Sequence, residues 1–474
     1  MTSGSSGRTP VYPHGWREIV NGSVEENFAP IALGTLNSLI REDVVPPTEH
    51  IQLILYLSLN PTAHGVTPSV PFSLLDRLLS FHSPSSIASS IPSHPSTSKL
   101  SADEMPQWLD WDYRRSELHR QVWRTMRRCR DEGVWTLLWE SEGKQDRKGN
   151  GKRRQRNDDV DMHDEEEDEV KRIVSEKGWR LLEWLVDFWE KDQKEQTGDK
   201  AIRDISYSPL FLKQLPRPYD RNGELQRNDA TLPLVIVRGA FLSPPNTENS
   251  RRESSAVRLL SLLCHTALTS NPPFHPPSLN SSLVHLFRIL PLSSIQRLIP
   301  QLIPHLDWWF LAHTYALALE DMGGIRSKKT SERRIAADRR RRRMDPISDR
   351  QGQGAGNEEE EFEVRVNGLG EPTVRYLLGT ILPLRASSRE SDSVEKMLFI
   401  KLVSVNLFLS NWSQVRADLL PGGVKGRYDG NEKWWKEVEK SWSPGDKRGD
   451  KQSKGSEAMA TVLRFQTKAL LDKL

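Results

Sequence analysis

Seven basic residues form the pattern with the clearest chemical meaning in this sequence of 474 residues. Two lysines, a spacer of nine residues and a run of five arginines follow one another: Lys328, Lys329, Arg339, Arg340, Arg341, Arg342 and Arg343. Two separated clusters of positive charge suit the acidic pockets of a nuclear import receptor, and the pattern resembles a bipartite nuclear-localisation signal. It therefore predicts nuclear import. Contact with nucleic acid and a solvated helix are the alternative interpretations.

Four further arginines recur at helical spacing beside a tryptophan-rich apolar pattern: Arg120, Arg124, Arg127 and Arg128. The apolar pattern, which includes Trp108 and Trp111, predicts one amphipathic helix over residues 105–130 with the arginines on its other side. Such a row can hold phosphates, so it is a candidate face for nucleic acid or for an acidic partner. A solvated or ion-paired row is the alternative.

One short pattern is typical of an enzyme. Residues 114–119, Arg-Arg-Ser-Glu-Leu-His, fit the R-x4-H spacing of the HEPN ribonucleases, an all-helical family that this segment resembles over these six residues. The resemblance implies that His119 acts as general base or acid and that Arg114 stabilises charge at the phosphate. Arg115 stands where the family often carries another polar residue.

Other patterns predict neither a metal site nor a cofactor. The histidines at 265, 275, 285, 305 and 313 lack the HxxxH and HExxH spacings of zinc sites. Gly352, Gly354 and Gly356 lie in polar sequence, with no strand before them to begin a phosphate-binding loop. Cys129 and Cys264 are the only cysteines, which suits a reducing compartment. We therefore expect no cofactor and a non-catalytic chain.

Charge is segregated along the chain, although the formal net charge is only +3. A basic cluster at 152–156 precedes residues 158–169, which contain nine carboxylates. Beyond a Debye length of roughly 8 Å such neighbouring runs largely cancel, which argues against a simple DNA-binding arm. Alternating runs of this kind are typical of nuclear and nucleolar chains. The longest apolar run, 308–319, is shorter than the roughly 20 residues of a membrane span, so we expect no membrane contact.

Helical periodicity dominates the elements that would position these residues. A capping box at Ser23 predicts a helix through Ile40, and helices are also predicted over 51–59, 72–79, 170–188, 256–268, 283–290, 295–303, 306–319, 374–382, 394–409 and 458–474. The tetrad Leu-Val-Ile-Val at 234–237 predicts a short strand instead. Eight tryptophans between Trp108 and Trp189 predict a dense core, formed by two helices that pack as an antiparallel hairpin.

We predict a mostly all-α fold, an irregular helical repeat or bundle with long disordered charged insertions. Its predicted divisions are an N-terminal bundle (1–82), a Ser/Pro linker that buries little (83–104), a tryptophan-rich hairpin (105–200) with a charged insertion (141–169), a proline-rich and helical repeat region (201–326), a basic and acidic insertion (327–361) and a C-terminal helical region (362–474).

The function predicted from these patterns is that of a non-catalytic scaffold or adaptor in a multiprotein assembly of the nucleus or nucleolus. The alternating charges favour ribosome biogenesis or other work on RNA. Expected partners are a nuclear protein complex and an import receptor, with Trp434 and Trp435 as candidate anchors. Direct binding of RNA or DNA through the basic segments is the alternative, and an HEPN-like ribonuclease is the third.

Overall fold

The computed structural model describes residues 12–42, 44–94, 116–130, 132–139, 173–196, 207–217, 228–243, 247–268, 276–323, 391–411, 461–462 and 464–467. These residues are mostly α-helical, which confirms the predicted fold class. Extended pairing within them is confined to two isolated bridges, Arg41 with Val44 and Trp139 with Val174. Two compact units divide the chain at residues 275 and 276.

The first unit is built of short α-helices and two α-helices of 21 residues each. In chain order they are α1 (His14–Glu25), α2 (Ala29–Leu39), α3 (Thr48–Leu59), α4 (Ser69–Phe81), α5 (Pro84–Ile87), α6 (Glu117–Arg128), α7 (Glu176–Gln196), α8 (Pro209–Leu212), α9 (Thr231–Leu242) and α10 (Thr247–Ala267). Short 3-10 segments lie at Thr62–His64, Ala88–Ser90 and Gly133–Leu137.

Helix α7 organises the first unit because it packs against α3, α4, α5, α8 and α10. Its tryptophans and aliphatic residues are buried over a broad face, as its apolar period predicts. Two lysines on α7 also satisfy carbonyl groups at the ends of other helices. Lys177 donates to the Leu59 carbonyl (2.9 Å), and Lys191 donates to the carbonyls of Leu79 (2.6 Å) and His82 (2.9 Å).

Aromatic rings join α7 to the segments around it. The ring centroids of Trp135 and Trp189 lie 5.6 Å apart, and those of Trp189 and Phe211 lie 5.0 Å apart. The Trp135 indole N–H donates to the Gln214 carbonyl (2.5 Å). Gly133 makes this packing possible, because its φ is +62° and a Cβ there would lie 2.8 Å from the backbone nitrogen of His94.

The second unit contains α11 (Pro276–Ile289), α12 (Leu292–Leu302), α13 (Trp308–Met322) and α14 (Ser391–Ser410). Helix α14 packs against α12 and α13, and α13 also packs against α11. The nearly all-apolar sequence of α14 predicts a core helix, and both Ile400 and Lys401 are fully buried in it. Burial lowers the pKa of Lys401 to about 7.

Three predictions about local structure are wrong. Residues 234–237 belong to helix α9, because α9 packs along α10 and burial of its Val and Ile side chains overrides their strand preference. Ser23 lies in the last turn of α1, where its hydroxyl donates to the Ile19 carbonyl (3.2 Å), so it does not begin a helix. Residues 84–91 bury Ile87 and Ile91 instead of forming an open linker.

The two tryptophan-bearing helices make their main contacts with other elements. Helix α6 packs on α1 and α3, whereas α7 packs on α3 and the helices named above. The described residues on either side of 140–172 lie next to each other. Trp139 pairs with Val174 in an antiparallel bridge, and the Ser175 amide donates to the Leu138 carbonyl (2.9 Å).

Candidate functional site

The arginine stripe (Arg120, Arg124, Arg127 and Arg128) lies on the solvent side of α6, where all four side chains are exposed. Ser116 begins the helix as its N-cap and accepts a hydrogen bond from the His119 amide (3.2 Å). The opposite side buries Leu118, Val122 and Met126 against α1 and α3. The apolar side therefore fixes the helix, and the stripe is presented from a rigid element.

One carboxylate lies at the N-terminal end of the stripe. Glu117 pairs with Arg120 (3.4 Å) and with Arg124 (3.6 Å), and all three side chains are about half exposed. Solvent-exposed pairs of this kind contribute little to stability, so other carboxylates or phosphates can replace Glu117. Arg127 and Arg128 lie in the last turn, where positive charge also complements the helix dipole.

The aromatic residue beside the stripe is covered. Trp123 is only 9% exposed, and the guanidinium of Arg127 lies over its ring, 4.9 Å from the centroid. A buried ring cannot act as a stacking platform for bases. In the described part of α6, the stripe can therefore offer charge and forked N–H donors but not base stacking.

His119 belongs to a buried polar cluster beneath the stripe. The side chain is 6% exposed, and its Nδ1 lies 2.9 Å from the Ser116 hydroxyl, which donates to the Val24 carbonyl (3.0 Å). Next to it, Nε2 of His50 lies 3.1 Å from the side-chain oxygen of Asn21. Burial first, and then the charges of Arg17 and His119, lower the pKa of His50 to about 3.

A small cavity lies between these side chains. Its lining includes Asn21, Glu49, His50 and His119, and the space open to a water molecule is about 10 Å³. That volume suits roughly one water and no nucleotide. The geometry favours a structural role for His119. Arg114 and Arg115, the other residues of the HEPN-like pattern, lie outside the described residues.

The sequence predicted the arginine stripe but not the buried cluster beneath it. The sequence signal for the cluster is weak: a single histidine, His50, stands just before the mostly apolar residues 51–57 of its helix. Its partners come from α1 and α6, which are distant in sequence. The predicted import signal and the candidate anchors lie outside the described residues: Lys328, Lys329, Arg339, Arg340, Arg341, Arg342, Arg343, Trp434 and Trp435.

Both cysteines are buried and neither forms a disulfide. Burial raises the pKa of both thiols far above the usual value, so Cys129 and Cys264 are protonated at neutral pH. Within the described residues, no group of three or more His, Cys, Asp or Glu side chains is placed to hold a metal ion. No helix among the same residues is long and apolar enough to cross a membrane.

Comparison of the chain with known proteins finds no family model, no curated protein and no solved structure that matches it.

Proposed function

We propose that this chain is a non-catalytic adaptor subunit of a nuclear multiprotein assembly. The observation that carries the proposal is the arginine stripe, an exposed row of positive charge on α6. The opposite side of this helix is buried against α1 and α3. Such a row suits recognition of an acidic surface. The sequence pattern at 328–343 supports nuclear import, and the alternating charged runs favour an assembly that works on RNA.

The direct test is a tagged purification of the full chain from its native cell, in moderate salt, with and without nuclease. A stoichiometric set of proteins that survives nuclease treatment is the expected result. The variant Arg124→Gln/Arg128→Gln is expected to lose part of this set. A matched control, Arg238→Gln/Arg251→Gln, removes the same charge from α9 and α10 and is expected to keep all of it. Partners that vanish with nuclease would contradict the adaptor proposal.

The second candidate is direct binding of RNA or DNA through the arginine stripe and the basic segments. The exposed guanidinium row favours it, whereas the covered ring of Trp123 does not. Each phosphate contact to a single strand contributes a slope of about −0.7 in log affinity against log salt. Direct binding therefore predicts that Arg124→Gln/Arg128→Gln flattens this slope by about 1.4 for a single-stranded RNA, measured by fluorescence anisotropy.

The third candidate, an HEPN-like ribonuclease, depends on Arg114 and His119. It predicts that His119→Ala abolishes RNA cleavage while the chain stays folded. A general base must reach the reacting hydroxyl, and the burial of His119 weighs against this function. Cleavage of a labelled RNA by the full chain and by His119→Ala, with circular dichroism to check folding, distinguishes it from the adaptor.

A further inference from the structure

Helices α1 and α2 expose three large apolar side chains close together in sequence. Ile19 is 57% exposed, Phe28 is 50% exposed and Ile31 is 56% exposed. The core-facing residues of the same helices, such as Val24 and Leu33, are almost completely buried. Single exposed apolar residues are common, but a cluster of them on one surface marks a binding site.

Hydrogen bonds connect the three residues across the turn between α1 and α2. The Ser23 hydroxyl donates to the Ile19 carbonyl (3.2 Å), and the Phe28 amide donates to the Ser23 carbonyl (2.8 Å). The Ile31 amide then donates to the Phe28 carbonyl (3.1 Å). Helices α1 and α2 pack against each other, and each turns its exposed apolar residues away from its own buried side.

Two glycines, Gly22 in α1 and Gly34 in α2, lie outside the buried sides of their helices. A Cβ at Gly22 or at Gly34 would meet nothing within 4 Å, so the packing of this chain does not require glycine at either position. Glycine inside a helix costs about 1 kcal/mol relative to alanine. Because glycine has no side chain, glycines between exposed apolar side chains allow the backbone of another helix to approach closely.

Exposed carboxylates on α1 and the turn after it are Glu18, Glu25 and Glu26. Glu18 also pairs with His14 (3.6 Å), and Arg17, the one arginine of α1, pairs with Glu49 of α3 (2.5 Å). The carboxylates therefore leave this border with a net negative charge, which favours a partner that carries positive charge. A second copy of this chain fits poorly, because a symmetric contact would bring like carboxylates together.

We propose that the α1–α2 face (Ile19, Gly22, Phe28, Ile31 and Gly34) binds an amphipathic helix of a partner protein, with an apolar stripe flanked by lysines or arginines. The exposed isoleucines and Phe28 contact the apolar stripe. The carboxylates of α1 face the basic flanks, and the glycines admit the partner backbone. The inference rests on the proposed adaptor function, because it specifies a surface and the chemistry of one partner.

The first test measures binding of two synthetic helical peptides to the full chain by fluorescence anisotropy. Both peptides carry the same Leu/Ala stripe, flanked in one by lysines and in the other by glutamates. We expect the lysine peptide to bind at least tenfold more tightly. Ile19→Ser/Ile31→Ser is expected to weaken that binding at least tenfold, whereas the control Leu242→Ser/Ile303→Ser, which changes apolar residues exposed elsewhere, leaves it unchanged. Equal binding of both peptides, or equal loss in both variants, would overturn the proposal.

The second test repeats the tagged purification with the same two variants. Loss of one stoichiometric protein from Ile19→Ser/Ile31→Ser, but not from the control, is expected if the peptide result holds. Recovery of the complete set by Ile19→Ser/Ile31→Ser overturns the surface proposal and leaves the adaptor function intact. If no stoichiometric proteins co-purify with the unmodified chain, the adaptor proposal is wrong. The peptide measurement then still decides whether the surface binds a basic helix.

Discussion

Gly178 lies where α7 meets the end of the preceding 3-10 segment, and a Cβ there would overlap the Leu138 carbonyl oxygen. We predict that Gly178→Ala lowers the free energy of unfolding by about 1–3 kcal/mol, because both backbones at the contact must move. Urea unfolding of the full chain measures this. Gly34→Ala is the matched control in an open helical position, and it is expected to raise stability by up to about 1 kcal/mol. Equal effects would contradict the overlap.

His50 makes the first unit sensitive to acid. Its pKa is lowered to about 3 in the folded state, against about 6.5 in the unfolded chain, so the unfolded state binds the extra proton between these values. Stability conferred by neutral His50 is therefore present above about pH 6.5 and is lost as the pH falls toward 3.

We predict that this histidine alone lowers the free energy of unfolding by about 1.4 kcal/mol per pH unit below pH 6. Urea unfolding at pH 7.0, 6.0 and 5.0 measures the slope. His50→Gln keeps a polar side chain opposite Asn21 but does not titrate, so its slope should be shallower than that of the unmodified chain. Parallel slopes would show that other groups govern acid sensitivity.

At the scale of elements, α7 stabilises two other helices through lysines near its two ends. Lys191→Met removes the hydrogen bonds to the carbonyls of Leu79 and His82 while keeping the apolar stem of the side chain. We predict a loss of about 1.5–3 kcal/mol, because hydrogen bonds from a charged donor are lost and carbonyls at the end of α4 are left unpaired.

Thermal and urea unfolding of Lys191→Met and Lys194→Met test this role of α7. Lys194 is exposed on the same helix, so its replacement is expected to change stability by no more than about 0.5 kcal/mol. A similar loss in both variants would mean that the charge of α7, and not the contact of Lys191 with α4, stabilises the unit.

Periodicity identified the helices with strong local patterns and failed where distant contacts decide the structure. The stripes of α4 and α7 follow from their own sequences. By contrast, α9 is rich in Val and Ile and is helical because it packs along α10. Residues 84–91 are rich in serine, and Ile87 is buried because α7, about 90 residues later, packs on α5.

The candidate site, too, could be predicted only in part from the sequence. Exposure of the arginine stripe depends on the period of α6 alone, so the sequence predicts it. The burial of His119 depends on α1 and α3, and the pairing of Glu117 with Arg120 and Arg124 depends on side-chain geometry that a sequence does not specify.

At the scale of the whole molecule, the import pattern makes a prediction about location. We predict that a fluorescent fusion of the full chain accumulates in the nucleus. Replacing Lys328, Lys329 and the arginines at 339–343 with alanine is expected to move it to the cytoplasm, because the import receptor loses both basic clusters. Fluorescence microscopy measures the distribution. Alanine at Lys152, Arg153, Arg154 and Arg156 is the matched control, and its fusion should stay nuclear.

The bridge between Trp139 and Val174 has a practical consequence. Because Trp139 and Val174 pair with each other, the two described segments that carry them end side by side. Doubling the length of a flexible connection costs only about 0.6 kcal/mol. We therefore expect that a fluorescent protein or an affinity module with closely spaced termini can be inserted between Trp139 and Val174 while the two residues stay paired.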